Sequence, residues 1–195
     1  MSETENTSTH LAGDTPVSDG PRRKFLLGTA GLLAAATGAG FAWWRTRHGE
    51  DSAAAIQPPD GFWDLQWDAP QGPAVRMQSF RGKPLLINFW ATWCPPCIAE
   101  MPAINDFFMK NNANGWQVLG LAVDKPAAVS AFLQKMPVQY PIGMAGVGGS
   151  ELAGQLGNPS GSLPYSLALG SDGTVLQRRL GKLSPSDLEL WARLK

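Results

Sequence analysis

The sequence has few of the residues that most enzymes use for acid–base and metal chemistry. Only two of its 195 residues are histidine, and both, His10 and His48, precede the part of the chain that we expect to fold. That domain therefore has no imidazole for general base catalysis or metal binding. The 16 basic and 16 acidic residues cancel to a formal net charge of +0. We predict no nucleic-acid partner, because such proteins usually carry a basic patch.

Cysteine is equally scarce, since Cys94 and Cys97 are the only two in the chain and lie within the stretch "WATWCPPCIAEM". A disulfide between them would enclose two residues, whereas the stabilisation from a disulfide grows with the length of the loop that it closes. The hydrophobic content of 44% is enough to bury a core without disulfides. The pair is therefore predicted to open and close as part of the protein's chemistry.

The N-terminal part of the chain has the pattern of an export segment. Residues 1–21 are rich in Ser, Thr, Asp and Glu, which predicts a disordered leader. In residues 22–44 the sequence "RRK" precedes 20 uncharged residues, a length that as a helix spans about 30 Å, the thickness of a bilayer core. The basic cluster favours a cytoplasmic N-terminus, and "RRKFL" resembles a twin-arginine export signal.

We therefore predict a signal or transmembrane anchor over 22–44, a linker over 45–59 and a domain over 60–195 that faces the periplasm. Two alternatives stay open. The apolar segment is also compatible with a buried helix, and the small residues "SAAA" at 52–55 are compatible with cleavage to a soluble periplasmic protein.

The domain itself has an α/β pattern. Residues 84–90 and 116–123 are continuous apolar runs, typical of parallel strands covered on both faces, and the segment between them has helical spacing. A helix over 126–136, a short strand over 140–144 and a helical turn or two over 151–157 follow. A hairpin over 164–181, with Asp172 and Gly173 in its turn, precedes a last helix with Ser184 as its N-cap.

The two cysteines lie where a buried strand ends and a helix begins, the redox arrangement of C-x-x-C proteins. Cys94 is predicted at the helix N-cap, where free N–H groups and the helix dipole stabilise a thiolate. Cys97, one turn later, is predicted to be more buried and to resolve the mixed disulfide. Because Pro95 and Pro96 have no N–H, thiolate stabilisation should be weaker, which favours a reductant over an oxidant.

A metal site is the main alternative for this pair. Zinc would need further Cys or His ligands, and the domain has none. A copper-binding or metal-centre assembly factor remains open, because thiolates bind Cu(I) and Met101 and Met109 follow closely in the sequence. The sequence otherwise predicts no metal and no cofactor.

The segment "NFWATWCPPCIAEMP" (88–102), with "SFRGKPLLINFW" before it and "LPYSLALGSDGTVLQRRLG" after it, resembles the membrane-anchored thioredoxin-like thiol-disulfide oxidoreductases of the TlpA and ResA type. The resemblance implies a thioredoxin-like fold, with a central mixed β-sheet flanked by helices. It implies Cys94 as nucleophile, Cys97 as resolving thiol and Glu100 as the active-site carboxylate. It also implies a cis Pro164 facing the cysteines. The predicted substrate groove comprises Trp93, Pro95, Pro96, Leu163 and Pro164.

Glu100 matters because ordinary thioredoxins carry a buried aspartate six residues before the first cysteine, and here that position is Asn88. An amide does not take up a proton, which leaves Glu100 as the candidate. If Glu100 is partly buried beneath Trp93 and the Pro164 loop, its pKa should rise. The alternative is an ordinary solvated helix residue.

The resemblance further implies reduction of disulfides in exported client proteins. Such proteins commonly serve the maturation of c-type cytochromes or of copper centres in respiratory oxidases. A membrane thiol transporter is the implied electron donor. The sequence does not choose among these clients.

The spacing of Arg22, Arg23 and Lys24 against the apolar run predicts an anchored protein with its domain outside the cytoplasm. We expect the native protein to stay with the membrane pellet after carbonate extraction, and its domain to be open to protease in spheroplasts. A soluble periplasmic product that begins near Ile56 would instead show that the segment is cleaved.

Overall fold

A computed structural model describes residues 57–194 of the chain. These residues contain seven strands: β1 Gln66–Trp67, β2 Val75–Arg76, β3 Leu85–Trp90, β4 Gln117–Ala122, β5 Ile142–Met144, β6 Tyr165–Leu169 and β7 Val175–Leu180. Five of them form a mixed sheet in the order β5-β4-β3-β6-β7. The strands β3, β4 and β5 run parallel, and β6 and β7 are antiparallel to their neighbours. The predicted central mixed sheet is therefore confirmed.

Four α-helices lie on the two faces of this sheet: α1 Pro95–Asn111, α2 Pro126–Lys135, α3 Gly148–Gln155 and α4 Pro185–Trp191. Buried side chains of α1, α2 and α4 share one core cluster with the sheet. Side chains of α3 belong to a second cluster on the opposite face. The sheet is thus covered on both sides, as its apolar strands require.

Strand β3 connects the two clusters because successive side chains of a strand point to opposite faces. Leu86 and Trp90 belong to the cluster with α1, whereas Ile87 and Phe89 belong to the cluster with α3. All six residues of β3 are buried. By the same alternation Asn88, a polar residue, lies on the face that α1 covers.

The predicted elements from residue 84 onward are confirmed, with small shifts at their ends. Helix α1 ends at Asn111 and is followed by a 3-10 turn over Asn112–Asn114. Helix α3 begins at Gly148, three residues before the predicted start. A Cβ on Gly149 would lie 2.7 Å from the Cβ of Ala145, so close packing requires glycine at this position. Because glycine does not favour a helix, the sequence predicts a later helix start.

The segment before β3 had no predicted structure. It forms 3-10 turns over Phe62–Asp64 and Met77–Phe80 and the antiparallel pair of β1 and β2. Phe62, Met77 and Phe80 are buried in the cluster that α3 shares. This segment therefore completes the core on that face of the sheet.

No helix within residues 57–194 is long and apolar enough to cross a membrane. The predicted leader and the predicted anchor lie outside the described residues, as does the predicted linker before residue 57.

Candidate active site

The two cysteines are joined by a disulfide where β3 passes into α1. Cys94 is the N-cap residue of α1 and Cys97 lies in its first turn, with 5.3 Å between the Cα atoms. Cys94 is 4% exposed and Cys97 is fully buried. Cys97 is thus the more buried of the two cysteines, as predicted.

The N-terminus of α1 offers few donors to the sulfur of Cys94. Pro95 and Pro96 occupy the first two helical positions and have no N–H. The N–H of Ile98 is already bonded to the carbonyl oxygen of Cys94, at 3.1 Å. Within the first turn, only the N–H of Cys97 remains to stabilise a thiolate at Cys94.

The carboxylate of Glu100, on α1, is hydrogen-bonded to β3 and to the segment before α4. Glu100 is fully buried. Its Oε1 accepts a hydrogen bond of 2.8 Å from Nδ2 of Asn88, and its Oε2 accepts one of 2.6 Å from the backbone N–H of Leu183. The second Nδ2 proton of Asn88 goes to Oγ of Ser166, at 2.9 Å. The solvated-helix alternative is therefore wrong for Glu100.

Burial changes the proton affinity of this carboxylate. Desolvation raises the pKa of Glu100 from 4.5 to about 7, although the hydrogen bonds from Leu183 and Asn88 and the charge of Lys182 act in the opposite direction. An acid of this pKa exchanges protons readily near neutral pH. Glu100 follows Cys97 by three residues on α1, so the two side chains lie on neighbouring turns of one helix face.

The expected cover over Glu100 was partly wrong. Trp93 is 65% exposed, and the groups that bond the carboxylate come from β3 and from the segment before α4. The side chain of Trp93 is thus exposed, whereas Trp90 is buried and packs on Phe132 with ring centroids 5.5 Å apart. The hydrogen bond from the backbone of Leu183 joins residues 83 apart in the chain, so the sequence near Glu100 does not predict it.

The Leu163–Pro164 peptide bond is cis, as the family resemblance implied. Pro164 is buried and Leu163 is half-buried. The preceding loop is fastened by Asn158, whose Nδ2 donates to the carbonyl oxygen of Ser162 at 2.9 Å. Asn158 is 2% exposed, a burial that its local sequence "NPSGS" does not indicate, since that sequence predicts only a loop.

A second contact that the sequence did not indicate fixes the segment before Cys94. Oδ2 of Asp124, after β4, accepts hydrogen bonds from the backbone N–H of Thr92 at 2.8 Å and from its hydroxyl at 2.6 Å. Burial acts to raise the pKa of Asp124, but these bonds, that from the N–H of Lys125 and the Lys125 charge together lower it. The ionised carboxylate therefore ties the active-site segment to the end of β4.

Among residues 57–194 no three His, Cys, Asp or Glu side chains come together in a group that could hold a metal ion. Of the two methionines on which the copper-binding alternative rests, Met101 is fully buried in the core and Met109 is 55% exposed, and the two cysteine sulfurs are bonded to each other.

The comparisons with known proteins agree with this geometry. Residues 62–190 match the Redoxin family. The chain belongs to that family. The ResA thiol-disulfide oxidoreductase of Bacillus thuringiensis (strain Al Hakam) is 30% identical over 120 residues, which are 61% of this chain and 67% of the relative. The ResA protein of Geobacillus kaustophilus is 27% identical over 174 residues, covering 86% of this chain and 94% of that protein.

Solved structures show the same fold. A thiol:disulfide interchange protein of the thioredoxin family from Chlorobium tepidum matches with a TM-score of 0.61 at 24% identity, covering 67% of this chain and 91% of that one. A thioredoxin-related protein from Neisseria meningitidis matches with a TM-score of 0.56 at 28% identity, covering 63% and 91%. The predicted thioredoxin-like fold and ResA-type thiol–disulfide oxidoreductase activity are confirmed, with Cys94 and Cys97 as the disulfide pair.

The raised pKa of Glu100 predicts a pH-dependent stability. Between pH 4.5 and about 7 the native state keeps a proton on Glu100 that the unfolded chain has lost. The stability that comes from this tighter proton binding is fully present below pH 4.5 and is lost as the pH rises through about 7. Glu100→Gln has no carboxyl group to titrate, so it does not lose this stability as the pH rises. The unfolding free energy of Glu100→Gln relative to wild type should therefore be about 3 kcal/mol higher at pH 8 than at pH 4.5.

Urea unfolding of the two oxidised proteins across that range measures the difference. The absolute stability of Glu100→Gln is not the readout, since the amide changes the hydrogen bonds as well. A difference between the two proteins that stays constant with pH would show that Glu100 titrates normally.

Proposed function

We propose that this protein reduces disulfides in exported client proteins, with Cys94 as nucleophile, Cys97 as resolving thiol and Glu100 as the group that accepts the Cys97 proton. The observation that carries the proposal is the buried carboxylate of Glu100, with its pKa raised to about 7, on the same helix as Cys97. The groove around Cys94 would be formed by Trp93, Pro95, Pro96, Leu163 and Pro164.

The reaction begins with the reduced dithiol. The Cys94 thiolate attacks one sulfur of the client disulfide, which breaks the client S–S bond, forms a Cys94–client disulfide and releases the first client thiolate. Glu100 then accepts the proton of Cys97, and the resulting thiolate attacks the sulfur of Cys94. The Cys94–Cys97 disulfide forms, the second client thiolate leaves, and two electrons have passed to the client.

The direction of exchange follows from the helix N-terminus. A strong oxidant is one whose reduced form is stabilised, and backbone N–H groups at a helix N-terminus are one source of that stabilisation. Two of them are lost here to Pro95 and Pro96. The reduced form is correspondingly less stable, and electrons pass more easily to the client.

The cellular setting is part of the proposal. The basic cluster and apolar run over 22–44 support an inner-membrane anchor with the domain in the periplasm. A membrane thiol transporter would return the Cys94–Cys97 disulfide to the dithiol. The clients would be c-type cytochromes or copper-centre proteins of respiratory oxidases, and trapping partners with Cys97→Ser in the native envelope would identify them, because that variant cannot resolve the mixed disulfide.

The loss of two N–H groups predicts a low reduction potential. We expect the Cys94/Cys97 couple to lie nearer to thioredoxin, at about −270 mV, than to a strong oxidant, at about −120 mV. Equilibration of the domain with glutathione buffers measures it. A value above about −180 mV, that of the isomerase class, would contradict the reductive direction. The double variant Pro95→Gly and Pro96→His should have a higher reduction potential, because it restores a backbone N–H at both positions.

The role of Glu100 predicts a specific kinetic defect. Glu100→Gln keeps the size of the side chain but removes the proton acceptor, so resolution by Cys97 should slow by about 10²-fold or more, the usual range for a general base. Attack by Cys94 should be unchanged. Stopped-flow reduction of a model disulfide from pH 5 to 9 separates the two steps.

Glu100→Asp should keep part of the activity, because it retains a carboxylate. Glu189→Gln on α4 is a matched control for the loss of one charge at an exposed position. If Glu100→Gln reproduces wild-type rates throughout, the proton leaves by water and Glu100 has a structural role.

A further inference from the structure

The backbone N–H that donates to Glu100 lies in an irregular segment between β7 and α4. Residues 181–184 join these two elements and belong to neither. The donor residue, Leu183, is fully buried, and its N–H reaches Oε2 of Glu100 at 2.6 Å. A hydrogen bond weakens steeply when its angle is poor. The bond to Glu100 therefore depends on what fixes the backbone of this segment.

A capping box begins α4 immediately after this donor. The hydroxyl of Ser184, the N-cap residue, accepts a hydrogen bond of 3.2 Å from the backbone N–H of Asp187. In return, Oδ2 of Asp187 accepts hydrogen bonds from the backbone N–H of Ser184 at 2.8 Å and from its hydroxyl at 2.6 Å. The N–H groups of two successive residues, Leu183 and Ser184, thus each donate to a carboxylate oxygen.

The carboxylate of Asp187 is also joined to the edge strand of the sheet. Its Oδ1 accepts a hydrogen bond of 3.3 Å from Nη1 of Arg179 on β7. The hydrogen bonds from Ser184 and the charge of Arg179 hold the pKa of Asp187 below its usual range, although desolvation acts in the opposite direction. Asp187 is therefore ionised over the whole range in which Glu100 titrates.

We propose that Asp187 is a positioning residue for Glu100, because its capping box with Ser184 holds the Leu183 N–H against Oε2 of Glu100. The two backbone N–H groups are separated only by the φ and ψ torsions of Leu183. When the N–H of Ser184 is held by Asp187, the directions open to the N–H of Leu183 are correspondingly fewer.

The buried side chain of Leu183 is the competing explanation. It belongs to the core cluster that α1 and α4 share with the sheet, and this packing fixes the place of the residue. Packing of the side chain does not by itself fix the direction of the backbone N–H, which also depends on the backbone torsions. The two explanations differ in what the loss of Asp187 does to Glu100.

Several groups face the Glu100 carboxyl from the elements around it. Two of them lie in the segment before α4, and both favour the ionised carboxylate: the N–H of Leu183 by its hydrogen bond and Lys182 by its charge. The others are Asn88 on β3, which donates to Oε1, Tyr140 before β5, whose hydroxyl pKa is raised by burial first and by the Glu100 charge second, and Cys97 on α1, which is held in the disulfide.

These contacts give the test a definite sign. Release of the segment before α4 weakens interactions that favour the ionised form, so it raises the pKa of Glu100 as long as the carboxyl stays buried. Loss of the Asp187 charge acts in the opposite direction, because a negative charge raises the pKa of a neighbouring carboxyl. Exposure of Glu100 to water would likewise lower its pKa, since burial is the cause of the raised value.

Infrared titration of the oxidised full-length protein measures this pKa without using activity. The carboxyl C=O band of Glu100 is assigned by its loss in Glu100→Gln. Asp187→Ala should raise the pKa of Glu100, with proton binding about tenfold tighter, the lower end of what a hydrogen bond to a charged group contributes. Asp187→Asn retains an oxygen that can accept from Ser184, so its Glu100 should titrate as in wild type or slightly lower.

Asp172 provides a matched control. It is an exposed aspartate whose Oδ1 accepts hydrogen bonds from the backbone N–H of Thr174 at 2.9 Å and from its hydroxyl at 2.7 Å. It lies in the turn after β6, whose last residue Leu169 pairs with Leu85 at the start of β3, so it is at the sheet edge away from Cys94. Asp172→Ala removes the same charge and the same kind of bonds, and should leave the pKa of Glu100 unchanged.

An unchanged or lowered pKa of Glu100 in Asp187→Ala would overturn the proposal, as would an equal rise in Asp187→Asn or in Asp172→Ala. The consequence for exchange rests on the proposed role of Glu100. In Asp187→Ala, the pH dependence of resolution by Cys97 should move to higher pH together with the pKa. If the pKa rises and the rate profile does not move, Glu100 is not the proton acceptor, and its positioning by Asp187 stands.

Discussion

The burial of one carboxylate links the elements of this active site. Glu100 on α1 accepts hydrogen bonds from Asn88 on β3 and from the backbone N–H of Leu183 just before α4. A fully buried carboxylate costs several kcal/mol unless its oxygens are bonded, so the helix, the strand and the C-terminal segment must keep their relative positions. The two bonds offset only part of that cost, and the remainder appears as a pKa near 7.

The two cysteines consequently have different surroundings on the same helical turn. Cys94, at the N-cap, has lost two of its possible N–H donors to Pro95 and Pro96. Cys97 is fully buried, and Glu100, its proposed proton acceptor, lies one turn further along α1. In the proposed reaction, the helix N-terminus thus governs the stability of the outer thiolate, and Glu100 accepts the proton of the inner thiol. By this proposal, one helix keeps the redox balance of the pair separate from its proton chemistry.

The features that the sequence predicts are those that depend on residues close together in the chain. The apolar runs of β3 and β4 and the N-cap position of Cys94 are readable within one segment. The hydrogen bonds around Glu100 are not, because its partners Asn88 and Leu183, and Ser166 beyond Asn88, meet only when strands and helices pack. Asn88 is the clearest case. In the sequence it stands where ordinary thioredoxins have an aspartate, whereas in the structure its amide donates a hydrogen bond to the carboxylate of Glu100. The strands β1 and β2, of two residues each, are too short to show periodicity.

The two faces of the sheet differ in a way that separates stability from chemistry. On the face covered by α3, the core is apolar and the hydroxyl of Tyr165 is paired with a backbone carbonyl. The face covered by α1 and α4 carries Asn88, Glu100 and the disulfide. The proposed reaction uses the buried carboxyl group of Glu100, and a buried ionised carboxylate is costly to the core around it. Because Glu100 lies on one face, that cost falls there, and the opposite face stabilises the fold mainly by apolar packing.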